Sequence, residues 1–570
     1  MIRAVNNSSL SFKSSQVNIL STADNHGDIL AMPQIMKAVE MNKRDMFERA
    51  QEKGTMNLFA IAGDFFLNPK KSGFLTNPEN LNGDIQHNFL KKIIQTVRET
   101  AGEENEFDTV YTPGNHCFDG GDKWLFDKLN RTPMTTIMTN INLEKSPLAQ
   151  DLMAKNKNIV TEKIYEIQDN KNPDLKNKIL VLGVTIPAMD YYSPNLLEGS
   201  EFFDNTNKND VLLEKEDLQN TFDVVEKSVE KFKKENPNGA VVVMAHTGNK
   251  LSSLLAERVS DIDLILNGHD HKEFEILKGK TLILSHGQNS KFLRTSQLQF
   301  DDNGKLSGIR AMKFDITKYE PIARKDAKIQ EFVNENLRED LVPLVYFKNE
   351  NLKNSELVLD DSIRYANNVI ANYTTSAIKS ALKEKGYGDV DAVGIPGSIF
   401  RNGLKSHERR STLNNIDLLK MFDGVNEDLS GVQIGKITGQ ELLDLIIENV
   451  LNNLKSRTRN SLIQWSDIQV NRSLFKKIKN GESDANYYDC VKIRDSKSGV
   501  FEPINLGKEY SILMSDKYLV KDSPHIEAPS KIKEKFEKIP ESYDSLFRKH
   551  LELANYEIKI TDKLKEERIL

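Results

Sequence analysis

Five short clusters in the first half of the chain carry side chains suited to binding metal ions. They are "STADNHGD" with Asp24 and His26, "GDFF" with Asp64, "GNHCFDGG" with Asn115, His116 and Asp119, the lone His246 after "AVVVMA", and "GHDH" with His269 and His271. Imidazole nitrogen combined with carboxylate and amide oxygen favours zinc, manganese or iron over calcium. Two donors one residue apart, as in Asp24/His26 and His269/His271, point to the same side of an extended backbone. Each cluster alone has a plainer reading: Asp24–His26 is a common turn, Asp64 after Gly63 a β-turn, and His246 a core histidine. Five in this order carry the metal reading.

The clusters need elements to hold them. Each follows a short apolar run that reads as a buried strand: 17–20, 58–63, 109–112, 240–246 and 263–269, with further strands at 179–184 and 281–287. Amphipathic stretches at 32–53, 86–102, 217–235 and 251–260 read as helices between them. Strands alternating with helices give an α/β layered domain. In open α/β sheets ligands sit beyond the carboxyl ends of strands, so the five clusters converge in one cleft. "RTSQLQFDD" and "GIRAMKFDI" alternate with period two and close the domain as a hairpin around "DDNGK". His286 ends a strand beside the cluster; burial is the simpler account, lining the cleft the other. His87, His407, His525 and His550 read as surface residues.

Beyond Ile316 the pattern changes. Residues 325–345 read as a charged helix linking two domains, and a second α+β region follows. Its expected elements are helices at 361–383, near 415–422 and at 440–453, and strands at 391–396, 466–471, 488–494 and 510–514. The last stretch, "KITDKLKEERIL", reads as a solvated helix or frayed tail. The boundaries expected are a polar N-terminal tail at 1–16, a first domain at 17–320, a linker helix at 321–356, a second domain at 357–545 and a charged tail at 546–570.

A chain of 570 residues is too long for one core. Net charge of −6 from balanced charges argues against binding a nucleic-acid polymer, whose phosphates need a basic excess. It leaves room for a small anion in a cleft whose sign a cation reverses. Two distant cysteines, Cys117 and Cys490, imply free thiols rather than a disulfide framework. No apolar run is long enough for a membrane span. The start of the chain lacks the apolar segment of a secretory signal, so the expected location is cytoplasmic, or extracytoplasmic after signal removal.

The order D-x-H, G-D, G-N-H-x-x-D, H, G-H-x-H resembles the calcineurin-like metallophosphoesterases. Over roughly residues 17–530 the chain is similar to the 5′-nucleotidase family, which also holds 2′,3′-cyclic-nucleotide phosphodiesterases, nucleotide-sugar hydrolases and thiosulfohydrolases. The resemblance implies a four-layer fold, a β-sandwich flanked by helices, with a second α+β substrate-binding domain. It implies two divalent ions (Zn, Mn or Fe), one held by Asp24, His26, Asp64 and His271. The other is held by Asp64, Asn115, His246 and His269, with Asp64 bridging. Such ions clamp the phosphoryl oxygens of an in-line displacement and activate water, so no protein nucleophile is needed. His116 and Asp119 resemble the family's His–Asp dyad, with Asp119 orienting His116. The family's cyclic phosphodiesterases often carry Asn at the place of Asp119, so the Asp leans toward a nucleotidase. Cys117 departs from the acidic residue usual there and reads as a spectator, or as a thiolate beside zinc.

In the second domain, "MFDGVNEDLSGVQIGKITGQELLDLIIENV" resembles the family's base-binding stretch, with Phe422 at the stacking position. Tyr518 falls where the second aromatic lies, although the usual Gly-Gly-Asp-Gly is missing. Arg401 in "PGSIFRNG" stands for the family's phosphate-binding Arg, with one residue more and no preceding Asn. Lys379 lies where the family often has another Arg. The implied activity is hydrolysis of a nucleoside 5′-monophosphate. The alternatives are a cyclic-nucleotide or nucleotide-sugar hydrolase, a thiosulfohydrolase, and a binding protein that has lost catalysis.

Overall fold

The structure, a computed structural model, describes residues 15–29, 31–47, 54–66, 84–102, 106–118, 121–142, 150, 158–169, 172, 174–187, 202–204, 213–287, 290–337, 343–347, 363, 365–397, 399–400, 412–414, 431–455, 461–515, 530–555, 557–558 and 568–570. The chain divides into two compact units, Met1–Asn68 with Asn82–Asn336, and Pro69–Leu81 with Leu337–Leu570.

The first unit holds two sheets. Its strands are β1 (Ser15–Thr22), β2 (Thr55–Ala62), β3 (Phe107–Thr112), β4 (Thr135–Ile137), β5 (Ile159–Val160), β6 (Glu162–Gln168) and β7 (Lys176–Thr185). They continue with β8 (Ala240–His246), β9 (Leu264–Asn267), β10 (Glu273–Lys278), β11 (Thr281–His286), β12 (Phe292–Phe300) and β13 (Leu306–Asp315). One sheet has seven strands in the order β13-β12-β1-β2-β3-β4-β5, the other six in the order β10-β11-β9-β8-β7-β6. β1 through β5 run parallel, as do β7, β8, β9 and β11. The hairpin of β12 and β13 joins the first sheet antiparallel to β1.

Alternation decides the layers. Val17, Ile19, Leu58, Ala60 and Val110 of one sheet pack with Val181, Val242, Met244, Leu264 and Leu266 of the other. The intervening Leu180, Leu182, Val241, Val243 and Ile265 pack against Phe222, Val225, Val229, Leu251 and Leu255. Those last five belong to the helices Gln219–Glu235 and Gly248–Arg258. On the other side the helix Asp84–Ala101 lies on β2 and β3 and the helix Met32–Met41 packs on it. The order is helix, sheet, sheet, helix, the four-layer sandwich expected.

The second unit is α+β. Its main sheet is built from β15 (Ala392–Pro396), β17 (Gly431–Thr438), β18 (Ile463–Trp465), β22 (Glu509–Ser515) and β23 (Phe536–Ser542), in the order β18-β15-β22-β17-β23. Val393, Ile395 and Leu513 face the helices Val369–Glu384 and Tyr543–Leu553. Ala392, Ile512 and Met514 face the helix Gly439–Lys455 and the small sheet of β19 (Ile468–Val470), β20 (Val491–Arg494) and β21 (Phe501–Pro503). A further sheet pairs β14 (Pro343–Phe347) with β16 (Thr412–Asn414) and β24 (Glu557–Ile558).

Several expectations need correction. The helix expected over 325–345 is the helix Ala327–Leu337 followed by β14, because Pro343 cannot donate to a helical ladder and a β-branched, aromatic run follows it. That helix is not a free linker: Phe332 meets the Phe89 ring at 4.9 Å and Asn336 accepts from Asn88, both in the first unit. The helix expected at 32–53 stops at Met41, with a short turn of helix at Lys43–Met46. The helix near 415–422 lies outside the described residues. The charged tail expected from residue 546 is, where described, packed: Leu546, Phe547 and Leu551 enter the core. Arg568 is 2% exposed. Its guanidinium donates to the carbonyls of Trp465 (2.9 Å) and Asn372 (3.2 Å), which offsets the cost of burying the charge. His87, expected at the surface, is buried, and burial followed by Lys91 pushes it down to about 4. His550 is half-buried beside the Tyr373 hydroxyl, 3.1 Å away. His407 and His525 lie outside the described residues.

His286 is fully buried, as the simpler account had it. Burial, then the nearby Arg294, pushes it from 6.5 down to about 3. An unfolded chain therefore takes up this proton first as pH falls, and stability declines from about pH 6.5 toward pH 3 by up to about 1.4 kcal/mol per pH unit. Urea unfolding at pH 6, 5 and 4 checks this: the H286Q variant shows a shallower loss with acid than the unaltered protein.

Candidate metal centre

The clusters sit at the carboxyl ends of β1, β2, β3, β8 and β9. Asp24 and His26 follow β1, and Asp64 follows β2. Asn115 and His116 lie in the turn Asn115–Phe118 after β3, His246 ends β8, and His269 and His271 follow β9. They converge. In each of the groups Asp24–His26–His271, His26–Asp64–His116 and Asp24–Asp64–His246, one ligand atom per residue lies within 4.8 Å of the others. His269 Nδ1 is 3.1 Å from Asn115 Oδ1, and its ring lies 5.3 Å from that of His246. All seven expected ligands, and His116, therefore meet in one pocket.

The backbone is bent to make this possible. Among the described residues seven non-glycine residues have positive φ, and five of them are Asp24, His26, Asp64, His269 and His271. Each such residue costs about 1–3 kcal/mol unless its surroundings hold it. Here the surroundings do. His26 N–H donates to Asp64 O (2.7 Å), Asp24 N–H to Gly63 O (3.2 Å), and Ser290 N–H to Asp24 O (3.2 Å). The approach is close enough that a Cβ on Gly63 would lie 2.0 Å from His246 Nδ1, and one on Gly114 2.2 Å from Asp64 Oδ1.

The electrostatics suit cations. Asp64 stands between the groups: Oδ1 accepts from His116 N–H at 2.9 Å and Oδ2 lies 3.0 Å from His246 Nε2. Burial acts to raise its pKa, but His246 and the other imidazoles hold it well below the usual carboxylate range. Asp24, fully buried, is pushed up to about 7 by burial, which His246 only partly offsets. His246 is pushed up to about 9, Asp64 and Asp24 outweighing its burial. His246 Nδ1 lies 3.0 Å from the Ala62 carbonyl, so that nitrogen carries a proton and Nε2 is the one aimed at the cluster. The Nε2 atoms of His26 and His271 face each other at 2.8 Å. Asp24 Oδ2 and Asn115 Nδ2 are buried without a hydrogen-bond partner. Two buried carboxylates among converging ring nitrogens, with polar atoms left over, fit a site for divalent cations.

The remaining expected residues fare differently. Asp119, Arg401, Phe422 and Tyr518 lie outside the described residues. Lys379 does not offer a free charge: its Nζ donates to Asp467 (2.7 Å) and to the Asp391 carbonyl (2.8 Å) within the second unit. Such a pair holds the helix Val369–Glu384 to the strands beside it. Cys117 is fully buried, 2.9 Å from the Tyr111 hydroxyl, and burial followed by the Asp64 charge pushes it up to about 12. That environment favours the protonated thiol, in line with the spectator reading. Both cysteines are free.

Sequence reasoning missed the residues that hold the ligands. Asp270 accepts from Asn249 N–H at 2.5 Å, fixing the His269–His271 turn to the helix Gly248–Arg258 that follows His246. Its place inside "GHDH" was a usable signal. Ser290 and the Ala62 carbonyl gave none, since a backbone contact leaves no mark on composition.

Residues 17–273 match the calcineurin-like phosphoesterases. No curated protein matches the chain. Among solved structures it is similar to a 5′-nucleotidase precursor from Thermus thermophilus, at 14% identity and TM-score 0.63, covering 97% of this chain and 99% of that one. It is also similar to the sulfate thiohydrolase SoxB of Thermus thermophilus, at 14% identity and TM-score 0.58, covering 99% and 97%. At these identities the likeness is one of fold. Among the described residues no helix is long and apolar enough to cross a membrane.

Cation binding to the native pocket should stabilise the protein, by about 2.7 kcal/mol at a hundredfold excess over the dissociation constant. Thermal melts with Mn²⁺ or Zn²⁺ against chelator should show the rise, and D64N, which removes a buried charge of the cluster, should lose it.

Proposed function

From the premise that residues 17–273 are a calcineurin-like phosphoesterase domain, a metal-dependent hydrolase type, we propose that the chain is a two-metal phosphohydrolase acting on nucleotides. The main reading is a 5′-nucleotidase that converts a nucleoside 5′-monophosphate to nucleoside and phosphate. One observation carries it: Asp24, His26, Asp64, His246 and His271 converge with Asp64 in two of the close groups, and His269 meets Asn115 and the His246 ring beside them. In this reading Asp24, His26, Asp64 and His271 hold one ion, and Asp64, Asn115, His246 and His269 the other. When bound, such a pair supplies Lewis acidity to the phosphoryl oxygens and a low pKa to water.

The chain's own residues do the rest. Asp64 keeps its charge because imidazoles surround it, so it can be shared. His116 is tied by its backbone N–H to Asp64 Oδ1, and its ring lies 5.3 Å from that of His26. It therefore stands at the edge of the ligand set, half-buried, where it can donate to a phosphoryl oxygen as charge builds. Asp119 would orient it. Phosphate monoesters are among the slowest esters to hydrolyse in water, so both contributions are needed. Arg401, Phe422 and Tyr518 are the proposed contacts to phosphate and base.

A second reading, a thiosulfohydrolase or other non-nucleotide hydrolase that adenosine does not inhibit, is favoured by the missing Gly-Gly-Asp-Gly and by the fold likeness to a sulfate thiohydrolase. Phosphate release across nucleoside 5′-monophosphates, 2′,3′-cyclic nucleotides, nucleotide sugars and sugar phosphates, with and without chelator, separates these. The expected result is chelator-sensitive release from 5′-monophosphates that adenosine inhibits. Absence of release from every ester with Mn²⁺ or Zn²⁺ present would overturn the proposal. H116A should lower kcat about 10²–10⁴-fold with metal content unchanged.

A further inference from the structure

The two sheets of the first unit meet through apolar side chains, and apolar contact is non-directional. It sets how far apart the sheets lie better than it sets how they are aligned. Yet the ligands are divided between them: Asp24, His26, Asp64 and Asn115 follow strands of the seven-stranded sheet, and His246, His269 and His271 strands of the other. Something directional must fix one set of strand ends against the other.

His286 has the geometry for this. It ends β11 in the six-stranded sheet and is fully buried. Its Nδ1 lies 3.1 Å from the backbone carbonyl of Asn267, two residues before His269. Its Nε2 lies 2.8 Å from the hydroxyl of Ser21, in the other sheet and three residues before Asp24. A carbonyl only accepts, so Nδ1 carries the proton and Nε2 accepts from Ser21. The ring is thus a bridge of fixed polarity. Burial and the adjacent Arg294 keep it neutral, at about 3. Arg294 makes the reciprocal tie: it rises from β12 and donates to the Ser285 carbonyl (2.8 Å), Glu273 (2.5 Å) and Glu275 (3.1 Å) of the opposite sheet. Ser290 adds a contact from its hydroxyl to the Ala23 carbonyl, at 3.3 Å.

We propose that His286 is a positioning residue that braces the strand end carrying Asp24 and His26 against the strand end carrying His269 and His271, and so sets the spacing of the two cations. The inference rests on the two-ion reading above. It makes a distinction between substitutions of similar size. Glutamine places its amide far enough out to accept from Ser21, and so keeps the cross-sheet bond while losing the bond to Asn267. Asparagine can keep the bond to Asn267 but cannot reach Ser21.

The test loads the full chain with Mn²⁺ and measures stoichiometry and affinity by calorimetry, spin coupling of the ion pair by EPR, and the melting temperature without metal. H286N and S21A should each weaken the second Mn²⁺ about 10–100-fold and reduce the coupling, as loss of residues supporting metal ligands does. H286Q should keep wild-type values even if its melting temperature falls. Equal losses in H286N and H286Q that follow the melting temperature would mean a packing role and overturn the inference. Wild-type binding and coupling in all three variants would overturn it and leave the two-ion reading standing. Fewer than two ions bound by the unaltered protein would overturn both.

Discussion

The constraint on which the first unit depends is the confinement of carboxylates and imidazoles in a place largely closed to solvent. Asp24, Asp64 and His246 are each at most 1% exposed, and their ligand atoms lie within 4.8 Å of one another. No arrangement of protons suits all of them. One carboxyl is pushed toward holding a proton while its neighbour is held strongly charged. Burial raises the first, and the surrounding imidazoles hold down the second. Such a cluster is costly by itself and becomes favourable when cations enter. Added to five backbones held at positive φ, it marks a region shaped for a ligand rather than for stability.

The sandwich makes that confinement possible. Parallel strands deliver their carboxyl ends to one side, and stacking two such sheets brings five strand ends within reach of a common point. The price of this construction is that the converging side chains arrive from two separate sheets. Polar ties from His286 and from Arg294 join the two sheets at that end. Neither side chain would be noticed in a search for donors to metal.

Much of this was legible in the sequence. The strands before each cluster were read from unbroken apolar runs, and β8 has the bounds that its run suggests. The convergence of these side chains was legible because His, Asp and Asn after a buried strand have few other uses when the pattern repeats five times. What failed was reading by local composition where tertiary packing decides. His87 carries no apolar pattern of its own, yet the helix Asp84–Ala101 turns it inward. Residues 325–345 have a helical charge pattern that Pro343 interrupts. The ion pair of Lys379 was not legible, because its partner Asp467 lies 88 residues away and nothing near it in sequence announces it.

Arg568 has a consequence for biosynthesis. Its guanidinium completes hydrogen bonds to Trp465 and Asn372, which precede it by 103 and 196 residues. Ribosomes add roughly 5–20 residues per second, so Asn372 waits on the order of 10–40 s for this partner. During translation the second unit is therefore exposed with an open seam, at a time when all of the first unit, which ends at Asn336, has already emerged. Chaperones that survey nascent chains would find their target in the later half of this protein, and a nonsense mutation shortly before codon 568 would leave that seam permanently unsealed.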